Sequence, residues 1–75
     1  MTITNDDVTA LAGEFGLSVR RYDDEDAWAF RSQDGRIRFN CTELLCMETI
    51  SNARRQIAFN LNHAKRPATM GAPAA

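Results

Sequence analysis

A chain of 75 residues has room for one domain, and with 9 basic against 10 acidic side chains it lacks an overall field that would attract nucleic acid. Two cysteines are too few for a secreted disulfide framework, and no apolar run approaches the roughly 20 residues of a membrane span. The N-terminus has neither the cationic nor the apolar segment of a signal peptide. The composition therefore predicts a cytoplasmic protein without a membrane segment.

The first predicted element is an amphipathic helix over residues 5–15. Thr4 is its predicted N-cap, and Asp7 completes a capping box with it. Gly16 is expected to end the helix because glycine readily adopts the left-handed conformation of a C-terminal cap. One apolar stripe recurs at helical spacing and is predicted to face the core: Val8, Leu11, Ala12 and Phe15.

Three strands are predicted next. Residues 17–22 alternate and form the first strand, and the four acidic residues 23–26 are expected to form a solvated connection. Residues 27–41 predict a β-hairpin, because Asp34-Gly35 between two alternating runs favours a two-residue type I′ turn with positive φ at both positions. That register places the apolar side chains on one face: Leu17, Val19, Trp28, Phe30, Ile37, Phe39 and Cys41.

The last predicted element is a long helix that starts at a cap formed by Asn40 or Thr42 and ends near Lys65, before a proline. Its predicted core-facing stripe is Cys46, Ile50, Ala53, Ile57, Leu61 and Ala64. The predicted fold is therefore α+β: a helix, a three-stranded antiparallel meander and a second helix, with both helices on one face of the sheet. The domain is predicted to span 1–66, followed by a disordered tail over 67–75.

The other face of the sheet is predicted to carry charge. Arg31 lies directly opposite Arg38, an arrangement of like charges that destabilises a sheet by about 0.2–1 kcal/mol. A chain that keeps such a pair suggests a site for an anion, a phosphate or an acidic partner surface. Two alternatives remain: arginine stems that only coat a solvated face, or neutralisation by the acidic residues 23–26. The candidate site consists of Arg20, Tyr22, Arg31, Arg36 and Arg38.

A second candidate patch lies on the long helix. At 100° per residue, Phe59 points about 160° away from the centre of the apolar stripe, next to Arg55 and Asn62. Aromatic residues and arginine are enriched at interface hot spots, which favours a second interface at these three residues. The alternative is a single exposed phenylalanine, which is not unusual on a protein surface.

No residue set indicates catalysis. Cys41 and Cys46 have neither the spacing nor the partners of a zinc site, and both are predicted to be buried, unreactive thiols. His63 has no serine, cysteine or acid at a catalytic spacing. The sequence therefore predicts no enzyme activity, no metal and no cofactor.

The predicted order of elements resembles that of double-stranded RNA-binding domains. Those domains carry a lysine-rich motif at the start of the second helix, which contacts phosphates across the major groove. Here the predicted start reads Thr-Glu-Leu-Leu-Cys-Met-Glu over residues 42–48, without a lysine. Because the difference falls on the residues that would make the contact, the resemblance implies a similar topology and not that function.

The leading hypothesis is a small non-catalytic protein-binding module. It would be an accessory protein or inhibitor, of the type encoded by phages and mobile elements, that docks on a larger host protein. The alternative is a nucleic-acid-binding module, in which the arginines of the sheet contact phosphates and Tyr22 stacks on a base. A homodimer formed through these patches is a third hypothesis, because domains of this size gain stability from added burial.

Overall fold

The computed structural model describes residues 3–65, and the predicted tail over 67–75 lies outside them. Its three strands form one antiparallel sheet in the order β1-β2-β3, which confirms the predicted α+β fold. The elements in chain order are α1 (Asn5–Glu14), β1 (Leu17–Arg21), β2 (Ala27–Ser32), β3 (Arg38–Thr42) and α2 (Ile50–Lys65).

Both ends of α1 follow the local sequence signals. The Asp7 backbone N–H donates to Thr4 Oγ1 (3.2 Å), and the Thr4 N–H donates to Asp7 Oδ2 (2.9 Å), which is the predicted capping box. Gly16 has a φ of 71°, as predicted for the residue that reverses the chain after the helix. The helix ends at Glu14, one residue earlier than predicted.

The register of the hairpin is confirmed, whereas its predicted turn type is wrong. Ser32 and Ile37 close the hairpin, with the Ser32 N–H donating to the Ile37 carbonyl (2.9 Å). Gly35 has a φ of 76°, but Asp34 does not adopt the positive φ that a type I′ turn requires. Instead the Asp34 carboxylate accepts hydrogen bonds from Ser32 Oγ (2.7 Å) and the Arg36 N–H (3.0 Å). The side chain of Asp34 thus supports a four-residue loop over 33–36.

One hydrophobic core lies between the sheet and both helices. α1 lies against β1, α2 lies against β3, and the helices contact each other. The Phe30 and Phe39 rings, on paired positions of β2 and β3, stack with centroids 5.0 Å apart. Both predicted helix stripes are confirmed apart from Cys46, although Phe15, Ile50 and Ala64 are only partly buried. The buried residues are Ile3, Val8, Leu11, Ala12, Leu17, Trp28, Phe30, Cys41, Leu44, Ala53, Ile57 and Leu61.

The second helix begins later than predicted. Pairing of β3 with β2 continues through Thr42, so neither Asn40 nor Thr42 caps a helix. A loop over 43–49 follows, and the cap is Thr49, whose Oγ1 accepts from the Asn52 N–H (3.0 Å). Cross-strand pairing, a tertiary constraint, outweighs the local capping signals here. The loop also places Leu44 in the core, with no exposed surface.

The residues compared with RNA-binding domains therefore belong to this loop and not to a helix start. The first turns of α2 carry Arg54 and Arg55. Arg54 is occupied, since its Nε and Nη2 donate to the two carboxylate oxygens of Glu14 on α1 (2.9 and 3.1 Å). This pair links the two helices, and no lysine lies in this part of α2.

The predicted solvated connection between β1 and β2 contains a structural anchor. Asp26 accepts hydrogen bonds from Trp28 Nε1 (2.9 Å) and from the Leu45 N–H (2.9 Å), and its own carbonyl accepts from the Glu43 N–H (2.8 Å). One aspartate thus joins the β1–β2 connection to the loop that precedes α2. The acidic run alone gave no indication of this role.

Arg21 has a structural role at the same corner. Its guanidinium donates to the carbonyls of Glu25 (2.7 Å) and Asp24 (3.0 Å) and to Asn5 Oδ1 (3.2 Å). It also lies over the Trp28 ring, 5.5 Å from the centroid, where a cation–π attraction applies. The end of β1 is therefore tied to the start of α1 and to the connection that follows.

We expect replacement of Asp26 by alanine to lower the free energy of unfolding by about 1–3 kcal/mol, because Trp28 Nε1 and the Leu45 N–H lose their acceptor in a partly buried position. Asp24→Ala is the matched control, since only the backbone carbonyl of Asp24 is used, and it should change stability by less than about 0.5 kcal/mol. Urea denaturation followed by tryptophan fluorescence measures both. Equal effects of the two variants would contradict the anchoring role.

Asp26 also predicts an acid-sensitive stability. Partial burial raises the pKa of Asp26, but hydrogen bonds from Trp28, Leu45 and Cys46 outweigh burial and hold the pKa below its usual value. The stabilisation is therefore complete above about pH 5 and is lost as the pH falls through the lowered pKa of the folded state. Denaturation at about pH 7, 5 and 3 should show a smaller loss in Asp26→Asn than in the wild type.

Candidate functional site

Three rows of side chains cross the open face of the sheet, because alternate residues of each strand point away from the helices. The pairing of β1 with β2 and of β2 with β3 defines the rows. In order from the hairpin end they are Ser18–Arg31–Arg38, Arg20–Ala29–Asn40 and Tyr22–Ala27–Thr42. Four of the five residues of the predicted candidate site thus lie on the open face of the sheet: Arg20, Tyr22, Arg31 and Arg38.

Arg31 and Arg38 occupy the closest kind of cross-strand pair. The ladder hydrogen bond between Ser32 and Ile37 (2.9 Å) makes the adjacent pair, Arg31 and Arg38, a non-hydrogen-bonded one. Side chains approach each other most closely at such pairs in an antiparallel sheet. The register therefore brings the bases of two cationic side chains together.

A shallow groove of about 330 Å³ lies between these rows. Its floor includes Ala29, whose small side chain separates Arg20 on β1 from Asn40 on β3. Charged and polar side chains border this floor on three sides. Its lining includes Ser18, Arg20, Tyr22, Ala29, Arg31, Arg38 and Asn40. We call it the arginine groove.

The three arginines of the groove have no protein partner among residues 3–65. Their guanidinium groups form neither a hydrogen bond nor an ion pair within that range, and all three side chains are exposed: Arg20, Arg31 and Arg38. None of the acidic residues 23–26 forms an ion pair with these arginines, and Asp26 is directed instead to Trp28 and Leu45. Asp23 lines a neighbouring depression with Arg20 and Tyr22, beyond ion-pair distance. The acidic run thus borders the arginine groove without filling it.

One hydrogen bond crosses the far end of the face. Tyr22 Oη donates to Asn40 Oδ1 (3.1 Å), which links the two edge strands above the central strand. Tyr22 remains 47% exposed. Because Oδ1 of Asn40 accepts this bond, the amide N–H groups of Asn40 remain as donors beside the groove. Asn40 was predicted to cap a helix and not to belong to the site, although the predicted register, which pairs it with Ala29, already places it on this face.

Arg36 does not line the groove. It lies in the loop before β3, its side chain is 86% exposed, and its Nε is 4.0 Å from Asp34 Oδ2. The same Asp34 accepts from Ser32 Oγ, and this bond and the Arg36 N–H hold the pKa of Asp34 below its usual value. Arg36 shares the alternation of β3 in sequence, but the strand begins only at Arg38.

The structure brings together part of the second predicted patch. Phe59 is 63% exposed on α2, and its ring stacks on His63 with centroids 5.9 Å apart. Arg55 and Phe59 line a shallow depression of about 430 Å³. Asn62 is exposed but does not line it. The full lining is Met47, Asn52, Arg55, Gln56 and Phe59.

The two cysteines differ in exposure. Cys41 is buried as predicted, and burial raises the pKa of its thiol. Cys46 is exposed, which corrects the prediction of burial, because it lies in the loop before α2. A hydrogen bond to the Asp26 carboxylate raises the pKa of Cys46, so both thiols are protonated at neutral pH and are poor nucleophiles.

Within residues 3–65 no three His, Cys, Asp or Glu side chains lie in a group that would hold a metal ion. No helix in the same range is long and apolar enough to cross a membrane.

Comparisons with protein-family models, with curated proteins and with solved structures find no match.

We expect Arg38→Gln to leave the free energy of unfolding unchanged or to raise it by about 0.2–1 kcal/mol, because the substitution relieves the like-charge pair with Arg31. Urea denaturation at low and high salt measures this effect, and the difference between variant and wild type should shrink as salt screens the repulsion. Arg54→Gln is a control with the opposite expected effect: it removes the ion pair with Glu14 and should lower the free energy of unfolding. A clear loss of stability in Arg38→Gln would show that Arg38 supports the fold.

Proposed function

We propose that this chain is a small non-catalytic binding module whose open sheet face contacts an acidic segment of a larger protein. The observation that carries the proposal is a set of three exposed guanidinium groups around the arginine groove that have no partner within residues 3–65: Arg20, Arg31 and Arg38. An acidic partner surface complements this charge, and docking would relieve the repulsion between Arg31 and Arg38.

The residues of the groove are held on a rigid scaffold, which suits them to bind a partner. The groove is built on paired strands, so partner binding need not order a loop, and binding costs less conformational entropy. Arginine and tyrosine are among the residues that dominate binding energy at interfaces, and guanidinium groups bind carboxylates with two parallel hydrogen bonds. Tyr22 supplies an exposed aromatic ring at the edge of the same face.

The proposal includes an accessory or inhibitory role on a host protein, of the kind found among phage and mobile-element products, and a cytoplasmic location. Small size and the absence of a recognisable catalytic set in the sequence support the role. Two free cysteines suit a reducing compartment.

The test compares partner binding by the wild type and by Arg31→Ala/Arg38→Ala. A protein retained from host lysate by the wild type is identified, purified and titrated against each variant by calorimetry. We expect the double variant to lose at least about tenfold in affinity and to keep its circular dichroism spectrum. Lys65→Ala, which removes an exposed cation at the end of α2, is the control and should bind within about twofold of the wild type. Unchanged affinity of the double variant would overturn the proposal.

Nucleic-acid binding remains the alternative function for the same face. It predicts a mobility shift of single- or double-stranded oligonucleotides at low salt that weakens steeply as salt rises, since each neutralised phosphate releases counterions. A shift lost in Arg31→Ala/Arg38→Ala would favour this alternative over a protein partner.

The second patch, around Phe59 on α2, is the candidate surface for self-association. The mass of the wild type in solution, compared with that of Phe59→Asp, tests it. A wild-type mass near 8.4 kDa at high concentration would exclude a homodimer. A dimer that Phe59→Asp dissociates would assign the patch to a second copy of the chain.

A further inference from the structure

We infer that the arginine groove binds a phosphomonoester dianion, carried on a phosphorylated side chain of the partner. This inference rests on the proposed function and names the chemical group that the face recognises. Its basis is that three arginine side chains, those of Arg20, Arg31 and Arg38, line one groove around Ala29. Arg20 lies directly beside Ala29 across one ladder, and Arg38 lies diagonally across the other.

The number and type of donors match such a group. A phosphomonoester carries a charge of about −1.5 to −2 at neutral pH and three strong acceptor oxygens. The groove has three guanidinium groups without protein partners in the described chain, and arginine forms bidentate hydrogen bonds with phosphate. The Asn40 amide adds neutral donors, because the Tyr22 hydroxyl already occupies its Oδ1.

A single carboxylate fits this arrangement less well. It carries one charge and two oxygens, enough to bind one guanidinium bidentately. The second member of the Arg31–Arg38 pair would then keep its uncompensated charge on a directly opposite position. A dianion bound between them attracts both guanidinium groups at once and still has an oxygen for Arg20.

A phosphodiester backbone also fits less well. Nucleic acids present a series of single charges, and proteins that bind them neutralise several in a row. Here the cations are concentrated around Ala29, and Asp23 lines the depression next to Arg20 and Tyr22. The chain as a whole has a net charge of −1. A backbone that extended along the face would meet this acidic side chain.

The test is an NMR titration of the full ¹⁵N-labelled chain with O-phospho-L-serine, with L-aspartate as the carboxylate control, at constant ionic strength. We expect phosphoserine to cause saturable shifts of the backbone amides of Ala29, Arg31 and Arg38 and of the arginine Nε–H signals. L-aspartate should bind at least about tenfold more weakly, since it offers fewer charge-assisted hydrogen bonds.

The variants localise the site. Arg31→Gln/Arg38→Gln should weaken phosphoserine binding at least about tenfold, because one charge-assisted hydrogen bond accounts for about that factor. Lys65→Gln removes one positive charge at the end of α2, outside the groove, and should bind as the wild type does. Equal weakening by both variants, equal affinity for aspartate, or shifts that do not saturate would overturn the inference.

The experiments distinguish a wrong ligand, the phosphate group, from a wrong function, the binding of a partner protein. A purified partner that binds through Arg31 and Arg38 but is insensitive to phosphatase treatment would keep the protein-binding function and overturn the phosphate ligand. Saturable phosphoserine binding together with a partner whose affinity falls after phosphatase treatment supports both. Phosphoserine binding without any partner that depends on these arginines would keep the groove chemistry and overturn its assignment to a protein partner. Tighter, arginine-dependent binding of an oligonucleotide would assign the face to nucleic acid instead.

Discussion

The register between β2 and β3 is the constraint on which the rest of this structure depends. Side chains alternate between the two faces of a sheet, so a shift by one residue would move every side chain of β3 to the opposite face. With Phe30 opposite Phe39, the aromatic pair enters the core beneath both helices. The same register sets Arg31 opposite Arg38 on the open face. Core and candidate site are therefore two consequences of one alignment.

Arginine side chains on the two sides of the molecule differ in whether they have partners within the protein. On the helical side Glu14 and Arg54 form a bidentate pair across the helices, which lowers the pKa of Glu14 through the hydrogen bond from Arg54 and raises that of Arg54. At the corner of the sheet, Arg21 is bound by carbonyl groups and by an aromatic ring. The arginine groove has no comparable arrangement within residues 3–65. This contrast supports the proposal that the arginine groove is a binding surface, whereas Arg21 and Arg54 stabilise the fold.

The acidic connection shows how one residue of a charged run can acquire a specific role. Three of its four members are exposed, as expected of a solvated segment. Asp26 instead binds Trp28 Nε1 and the backbone of the loop before α2. It thereby directs its charge away from the arginines and positions the segment that carries Leu44 into the core.

The sequence by itself determined the elements whose signals are local. The capping box and the glycine of α1, the alternation of the strands and the apolar stripe of α2 depend on neighbours a few residues apart, and all were predictable. The start of α2, the exposure of Cys46 and the position of Arg36 were not. Each depends on how far β3 pairs with β2, which is a tertiary contact that competes with local capping and alternation. The candidate site divides in the same way. Alternation placed four of its residues on one face, and the same register places Asn40 with them. Only the folded sheet showed that Asn40 is bonded to Tyr22, that Arg36 lies in the loop before β3, and that residues 23–26 form no ion pair with the arginines of the groove.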